Sequence, residues 1–201
     1  ISDPVHLLAR FFTGGPAPRG ACGEGQGGAR NPNPRVIPPN ARPHGKYLGE
    51  WSGVWWQWAF SFPAETNPVM DLTGEFAANG QTGSVWLLAG TFGQTAVRTV
   101  TIPAGKTLLV PIYNWVWVNT PAYGDAPWSD EQEAYARKVL ADAIDPMMDF
   151  IACQVDGIEI QNIKDYRCPT LPDGEYMMTF PENSIWLPAG TYGPSVDDGA
   201  Y

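Results

Sequence analysis

The sequence predicts a mainly β fold, a jelly-roll-like β-sandwich with two peripheral helices and an extended N-terminal arm. Three observations predict it. Gly and Pro together supply 42 of the 201 residues, more turn-forming residues than a coiled coil or helical bundle carries. Aromatic residues reach 12%, with nine Trp, while charged residues are only 16%. Short runs of β-branched and aromatic residues recur between Gly- and Pro-containing turns. The formal charge of −9 argues against a nucleic-acid partner, which would need a basic footprint. No apolar run is long enough to predict a membrane span.

The chain opens at Ile1 instead of Met, which fits a removed secretion leader or a fragment. Val5 to Phe12 reads as a short apolar strand, with Val5, Leu7, Ala9 and Phe11 in one alternate row. Residues 14–45 then hold eight Gly and seven Pro among 32, a composition that packs no element and predicts a linker or strap. Fully extended, it spans about 100 Å. The predicted boundary divides an arm and linker, 1–46, from a β-sandwich domain, 47–201. Charge divides there too: six bases against two acids before it, six bases against nineteen acids after it. Opposite charges steer a basic arm toward an acidic body, its own or a neighbour's.

Within the body, Trp51, Val54, Trp55, Trp58, Ala59 and Phe62 recur at helical spacing and stop at Pro63. Trp56 and Phe60 fall on the opposite face of that helix. A second helix is predicted from Ser129, where Ser129 and Gln132 make a capping box. Its apolar stripe is Tyr135, Val139, Leu140, Ala143 and Ile144, its charges form a solvated face, and Pro146 ends or kinks it near Asp145. Strands are predicted over 84–88, 96–102, 107–118, 151–155, 158–161, 176–180 and 184–187. Asp156-Gly157 gives a two-residue hairpin turn. Val85–Gly93 echoes Ile185–Gly193, which suggests two equivalent corners of a pseudo-symmetric sandwich.

Catalytic signatures are sparse. His6 and His44 both lie in the arm, no nucleophile elbow occurs, and two His with three scattered Cys show no zinc spacing. The expectation is a non-catalytic protein, with a glycosidase built on paired carboxylates as the third reading. No cofactor is expected; Ca²⁺ is the one metal considered, at Asp71, Asp125, Asp197 and Asp198 in loop-like sequence. Cys153 and Cys168 flank the hairpin and are expected to form a disulfide in an oxidising compartment, leaving Cys22 unpaired or bonded between molecules. Both faces of the run Leu109–Val118 are apolar. Tyr113, Trp115 and Trp117, with Trp128, are therefore either covered by a helix or the arm, or exposed as a platform for sugars or a partner protein.

The string Trp51-Ser-Gly-Val-Trp-Trp-Gln-Trp58 is followed by Asn67-Pro68, Asp71-Leu-Thr-Gly74 and Gly80-Gln81. Val85–Gly93, Arg98 and Pro103-Ala-Gly-Lys106 come next. Together they resemble an uncharacterised family of secreted, mainly bacterial proteins, over roughly Tyr47 to Tyr201. The resemblance implies export and a β-rich domain, and brings no established activity. Its members carry Cys where this chain has Ala77 and Val100, and continue past the last motif with another apolar strand. The leading expectation is a secreted or cell-surface structural protein. It would self-assemble into filaments or sheets by docking its arm on a neighbouring copy. The alternative is a carbohydrate-binding module that uses the aromatic strand face.

Overall fold

The computed structural model describes residues 7–11 (backbone only), 31–33, 35–121 and 128–201. In chain order its elements are β1 (Leu7–Phe11), α1 (Leu48–Ala59), β2 (Val85–Leu87), β3 (Thr107–Leu109), β4 (Tyr113–Val118) and α2 (Asp130–Ile144). They continue with β5 (Ile151–Val155), β6 (Ile158–Glu159), β7 (Tyr176–Phe180) and β8 (Gly190–Ala200). The strands fall into three small open sheets ordered β1-β5-β6, β2-β3 and β4-β8-β7. The architecture is mixed α and β. A jelly roll needs two large sheets facing one another. Here both faces of the β4-β8-β7 sheet are covered by helices instead.

That layering explains why both faces of β4 are apolar. Register places Tyr113, Trp115 and Trp117 opposite Ala200, Asp198 and Val196, and Asn114, Val116 and Val118 opposite Gly199, Asp197 and Ser195. Val196 and Trp117 pack against Ala136 and Leu140 of α2. On the other face Val116, Val118, Met178 and Phe180 pack with Trp55, Trp56 and Trp58 of α1. Helix α1 carries Trp on two faces because both are buried, leaving Gln57 exposed: Trp56 stacks on Phe60 at 5.6 Å, and both rings are enclosed. Its last carbonyl, on Ala59, accepts a bond from Asn67 Nδ2 at 2.9 Å. Removing a buried Trp costs about 3–5 kcal/mol.

Several predicted strands are absent. Residues 96–102 form no strand; Arg98 instead donates to the carbonyls of Asp71 and Ala89 at 2.6 Å and of Gly90 at 3.1 Å. Pro111, which lacks an N–H, splits the predicted 107–118 strand into β3 and β4. Ser184 makes a lone bridge to Pro63, and Ile185–Leu187 form no strand. The echo therefore joins different structures: Val85–Leu87 is buried strand, whereas the second copy's Gly190–Gly193 opens β8.

The described part of the arm lies on its own chain. β1 pairs antiparallel with β5 of its own chain, through Leu7↔Val155, Ala9↔Cys153 and Phe11↔Ile151. Val5 lies outside the described residues. Part of the linker is a strap on the same unit: Asn33 is buried, donating to Gln161 O and accepting from Gln161 N, both at 2.8 Å, and Arg35 pairs with Asp156 at 2.7 Å. The basic arm thus meets acidic groups of its own body. Cys153 is a free, buried thiol in the middle of β5, pushed up to about 11 by burial, so the Cys153–Cys168 bridge is not formed. Cys168 lies elsewhere, beside β8, with its N–H on Gly199 O, and its sulfur is engaged otherwise.

β8 is the central strand. β4 flanks one side of its C-terminal half, and residues 166–170 run along the other, with Cys168 N–H on Gly199 O and Thr170 N–H on Asp197 O. Ser195, Val196, Asp197, Asp198 and Ala200 are at most 3% exposed. Gly199 is required by contact: a Cβ there would lie 2.4 Å from Asn114 Cβ. The two acids thought to lie in a loop are thus strand residues facing opposite helices.

Asp198 takes the charged solution. Arg167 forks onto its carboxylate, with Nε–Oδ1 at 2.9 Å, and also pairs with Asp145 just past α2. Burial opposes the guanidinium charge, yet Asp198 and Asp145 hold its pKa above the ordinary value. Asp197 takes the neutral one. It accepts from Thr170 Oγ1 at 2.7 Å, Ser52 Oγ at 3.0 Å and Tyr176 OH at 3.0 Å. Burial pushes its carboxyl up to about 7 against those bonds, and the neighbouring Asp198 adds to the rise. Tyr201, also enclosed, faces the same carboxyl.

A folded-state pKa above the ordinary 3.8 fixes the sign of the pH effect. The stabilisation is complete below pH about 4 and is lost as pH rises through about 7. Asp197→Asn should therefore flatten the fall in urea-unfolding free energy between pH 5 and 8. For the native chain that fall is expected to be on the order of a few kcal/mol. Parallel pH curves for the two chains would contradict the assignment.

Candidate functional site

β4 and α2 together build an open cleft. β4 ends at Val118 and carries the chain to Asn119, while Trp128 and Ser129 lead into α2. Trp117, Asn119, Trp128, Ser129, Glu131, Gln132 and Tyr135 line a cleft of about 240 Å³. The first turn of α2 is fixed by its capping box: Ser129 Oγ accepts from Gln132 N–H at 3.2 Å, and Ser129 N–H donates to Gln132 Oε1 at 2.9 Å. That turn sets Glu131 and Gln132 on the rim and Tyr135 one turn later. Tyr135 stands edge-on to Trp117, with ring centroids 5.9 Å apart.

Asn119 forms part of the wall. Its backbone is held in place, N–H to Pro194 O and carbonyl from Gly193 N–H, both at 3.1 Å. Asn119 is 2% exposed, and its Oδ1 has no hydrogen-bond partner among the described residues. A buried acceptor left unpaired costs about 1–3 kcal/mol, so it calls for a reason. In the wall of an aromatic cleft, it is an acceptor for which the described residues supply no donor.

Two ionic clamps hold α2 against the sheet and so hold the cleft in shape. Arg137 bonds Glu133 at 2.6 Å, Glu175 at 3.0 Å and the Leu171 carbonyl at 3.2 Å. Its hydrogen bond lowers the Glu133 pKa, outweighing the opposing effect of burial. At the far end of the helix, Asp145 joins the Arg167–Asp198 pair. The helix orientation is therefore tied to β8.

Of the four aromatic residues expected to bind sugar, the structure brings two together. Trp117 and Trp128 share the cleft, whereas Tyr113 packs toward Ile144 and Met148. Trp115 is 48% exposed but outside the cleft, its indole N–H on Tyr113 OH at 3.0 Å. Tyr135, read as core from its helical spacing, is 61% exposed. Asn119, Ser129, Glu131 and Gln132 were not foreseen as lining residues. A helix-capping pattern directly after Trp128 was the signal that could have placed three of them.

The remaining candidates read as structure. Asp71 accepts from the N–H groups of Thr73, Gly74 and Phe76 within 3.0 Å. Burial acts against its ionised form, but those bonds and the Thr73 hydroxyl lower its pKa to about 2. Asp197 and Asp198 are committed within the core, and Asp125 lies outside the described residues. Among the described residues no three metal-ligating side chains gather. No helix of the described residues is long and apolar enough to cross a membrane. The motif string also resolves into packing. Trp55 and Trp58 donate to the carbonyls of Leu88 and Asn79, and Gln81 bonds both Leu87 N–H and Leu87 O. No family model, curated protein or solved structure matches this chain.

Proposed function

We propose that the chain is a non-catalytic carbohydrate-binding domain of a secreted or cell-surface protein, with the β4–α2 cleft as its site. The carrying observation is the meeting of Trp117, Trp128 and Tyr135 with Asn119, whose buried acceptor has no partner among the described residues. Sugar rings present C–H faces that pack on aromatic faces, and hydroxyl edges that donate to amide and carboxylate oxygens. The lining residues supply both. They include one carboxylate, Glu131, where glycoside hydrolysis uses two, so the arrangement favours holding a sugar over cleaving it.

Titrating the chain with neutral oligosaccharides and following Trp fluorescence tests this. Tyr135→Ala, at an exposed ring, should weaken binding about fivefold to tenfold without moving the urea midpoint, and Trp128→Ala by at least as much. Silence toward every oligosaccharide would overturn the reading.

A second reading, the self-assembling structural protein, is favoured by the β1–β5 ladder. The five paired positions need only β1 and the edge of β5, and nineteen residues separate β1 from Asn31. The same ladder forms between copies when β1 is contributed by a neighbour, and head-to-tail repetition then gives filaments or sheets. Ala9 lies opposite Cys153, a free thiol. Directly opposed antiparallel residues are close enough for a disulfide. Mild oxidation of Ala9→Cys should give covalent dimers and ladders on a non-reducing gel if arms are exchanged, abolished by adding Cys153→Ala. Bridged monomers alone would contradict exchange.

A further inference from the structure

We infer that the β4–α2 cleft selects its ligand by charge, accepting neutral sugars and protonated amino sugars and rejecting uronic acids. The inference rests on the carbohydrate-binding reading and adds the class of sugar.

The argument begins with which charges face the cleft. Glu131 is the charged residue on its wall, and Asp130 and Glu133 share the same helical turn. Cations nearby on α2 are already committed. Arg137 is held by Glu133, Glu175 and the Leu171 carbonyl, and Lys138 by Asp142. A uronate carboxylate entering the cleft would therefore meet Glu131, with Asp130 on the same turn, and no available guanidinium or ammonium among the described residues of the helix. Carboxylate recognition ordinarily recruits an Arg fork, and the fork present here is turned inward to clamp α2.

The uncharged lining favours the same selection. Trp117, Trp128 and Tyr135 line the cleft, and an aromatic face attracts a cation within about 6 Å of its centre. Asn119 Oδ1 is an acceptor, and Glu131 offers acceptors at the rim. These groups suit hydroxyl, acetamido N–H and ammonium donors. The donors on the same lining, among them the Trp indole N–H groups, the amides and the Tyr135 hydroxyl, are all uncharged. The acidic body, with six bases against nineteen acids from residue 47 onward, extends the bias beyond the cleft.

The experiment compares four hexasaccharides on the full chain at low and physiological salt: a neutral β-glucan, its N-acetylated amino-sugar counterpart, the deacetylated amine, and a polyuronate. The deacetylated amine at pH 6 should bind about fivefold tighter than the neutral chain at low salt. Glu131→Gln and added salt should each remove most of that advantage, read as the ratio of amine to neutral affinity in the same chain. The polyuronate should bind at least tenfold more weakly than the neutral chain. Equal or tighter polyuronate binding, abolished by Tyr135→Ala, would overturn charge selection while leaving the cleft as a sugar site. An amine with no advantage over the neutral chain, or an advantage that survives Glu131→Gln, would overturn the role given to Glu131. Failure of all four sugars would overturn the carbohydrate-binding reading itself.

Discussion

Two adjacent carboxylates inside the central strand are the constraint on which the rest depends. Successive residues of a strand face opposite sides, so Asp197 and Asp198 are presented to different layers. Water reaches neither, and each must be satisfied by the layer it meets. Asp198 recruits Arg167, and through it Asp145, which ties the end of α2 to the sheet. Asp197 recruits hydroxyls from α1, from β7 and from the 166–170 segment. One dipeptide thus organises both helices around a single strand. Removing Arg167 would strand the buried Asp198 charge, typically a loss of about 3–5 kcal/mol, whereas Arg167 without Asp198 keeps Asp145.

The cleft inherits its shape from that arrangement. Its aromatic wall comes from β4, paired to β8, and its polar rim from the first turn of α2, clamped to residues 170–175 by Arg137. A rigid frame lowers the ordering cost that a sugar, itself flexible, would otherwise impose on binding. The frame also holds Asn119, whose backbone is bonded to Gly193 and Pro194 and whose Oδ1 has no partner among the described residues.

Local signals in the sequence were reliable where local chemistry decides. The Ser129–Gln132 capping box marks the start of α2, and Asp156-Gly157, both at positive φ, form the turn between β5 and β6. β7 falls on its predicted residues. Where distant packing decides, the same signals mislead. β8 contains Gly190, Gly193, Pro194, Asp197, Asp198 and Gly199, a composition that reads as loop. Its strand character comes from partners 10 to 87 residues away, and Gly199 is there because Asn114 leaves no room for a side chain. The sandwich failed for a related reason: a strand apolar on both faces fits a sheet covered by helices as well as one of two facing sheets. In the cleft, Trp117 and Trp128 were legible as aromatics. Asn119 was not, because an unsatisfied amide is defined by what the fold withholds from it.

The measurement that bears most directly on the account is a ¹⁵N-edited NMR titration of the nine Trp indole N–H signals with a neutral oligosaccharide. Trp117 and Trp128 should shift, while Trp55 and Trp58, whose N–H groups are bonded to Leu88 and Asn79 in the core, stay in place. Shifts confined to Trp115 or Trp186, or no shift at any indole, would contradict the placement of the site.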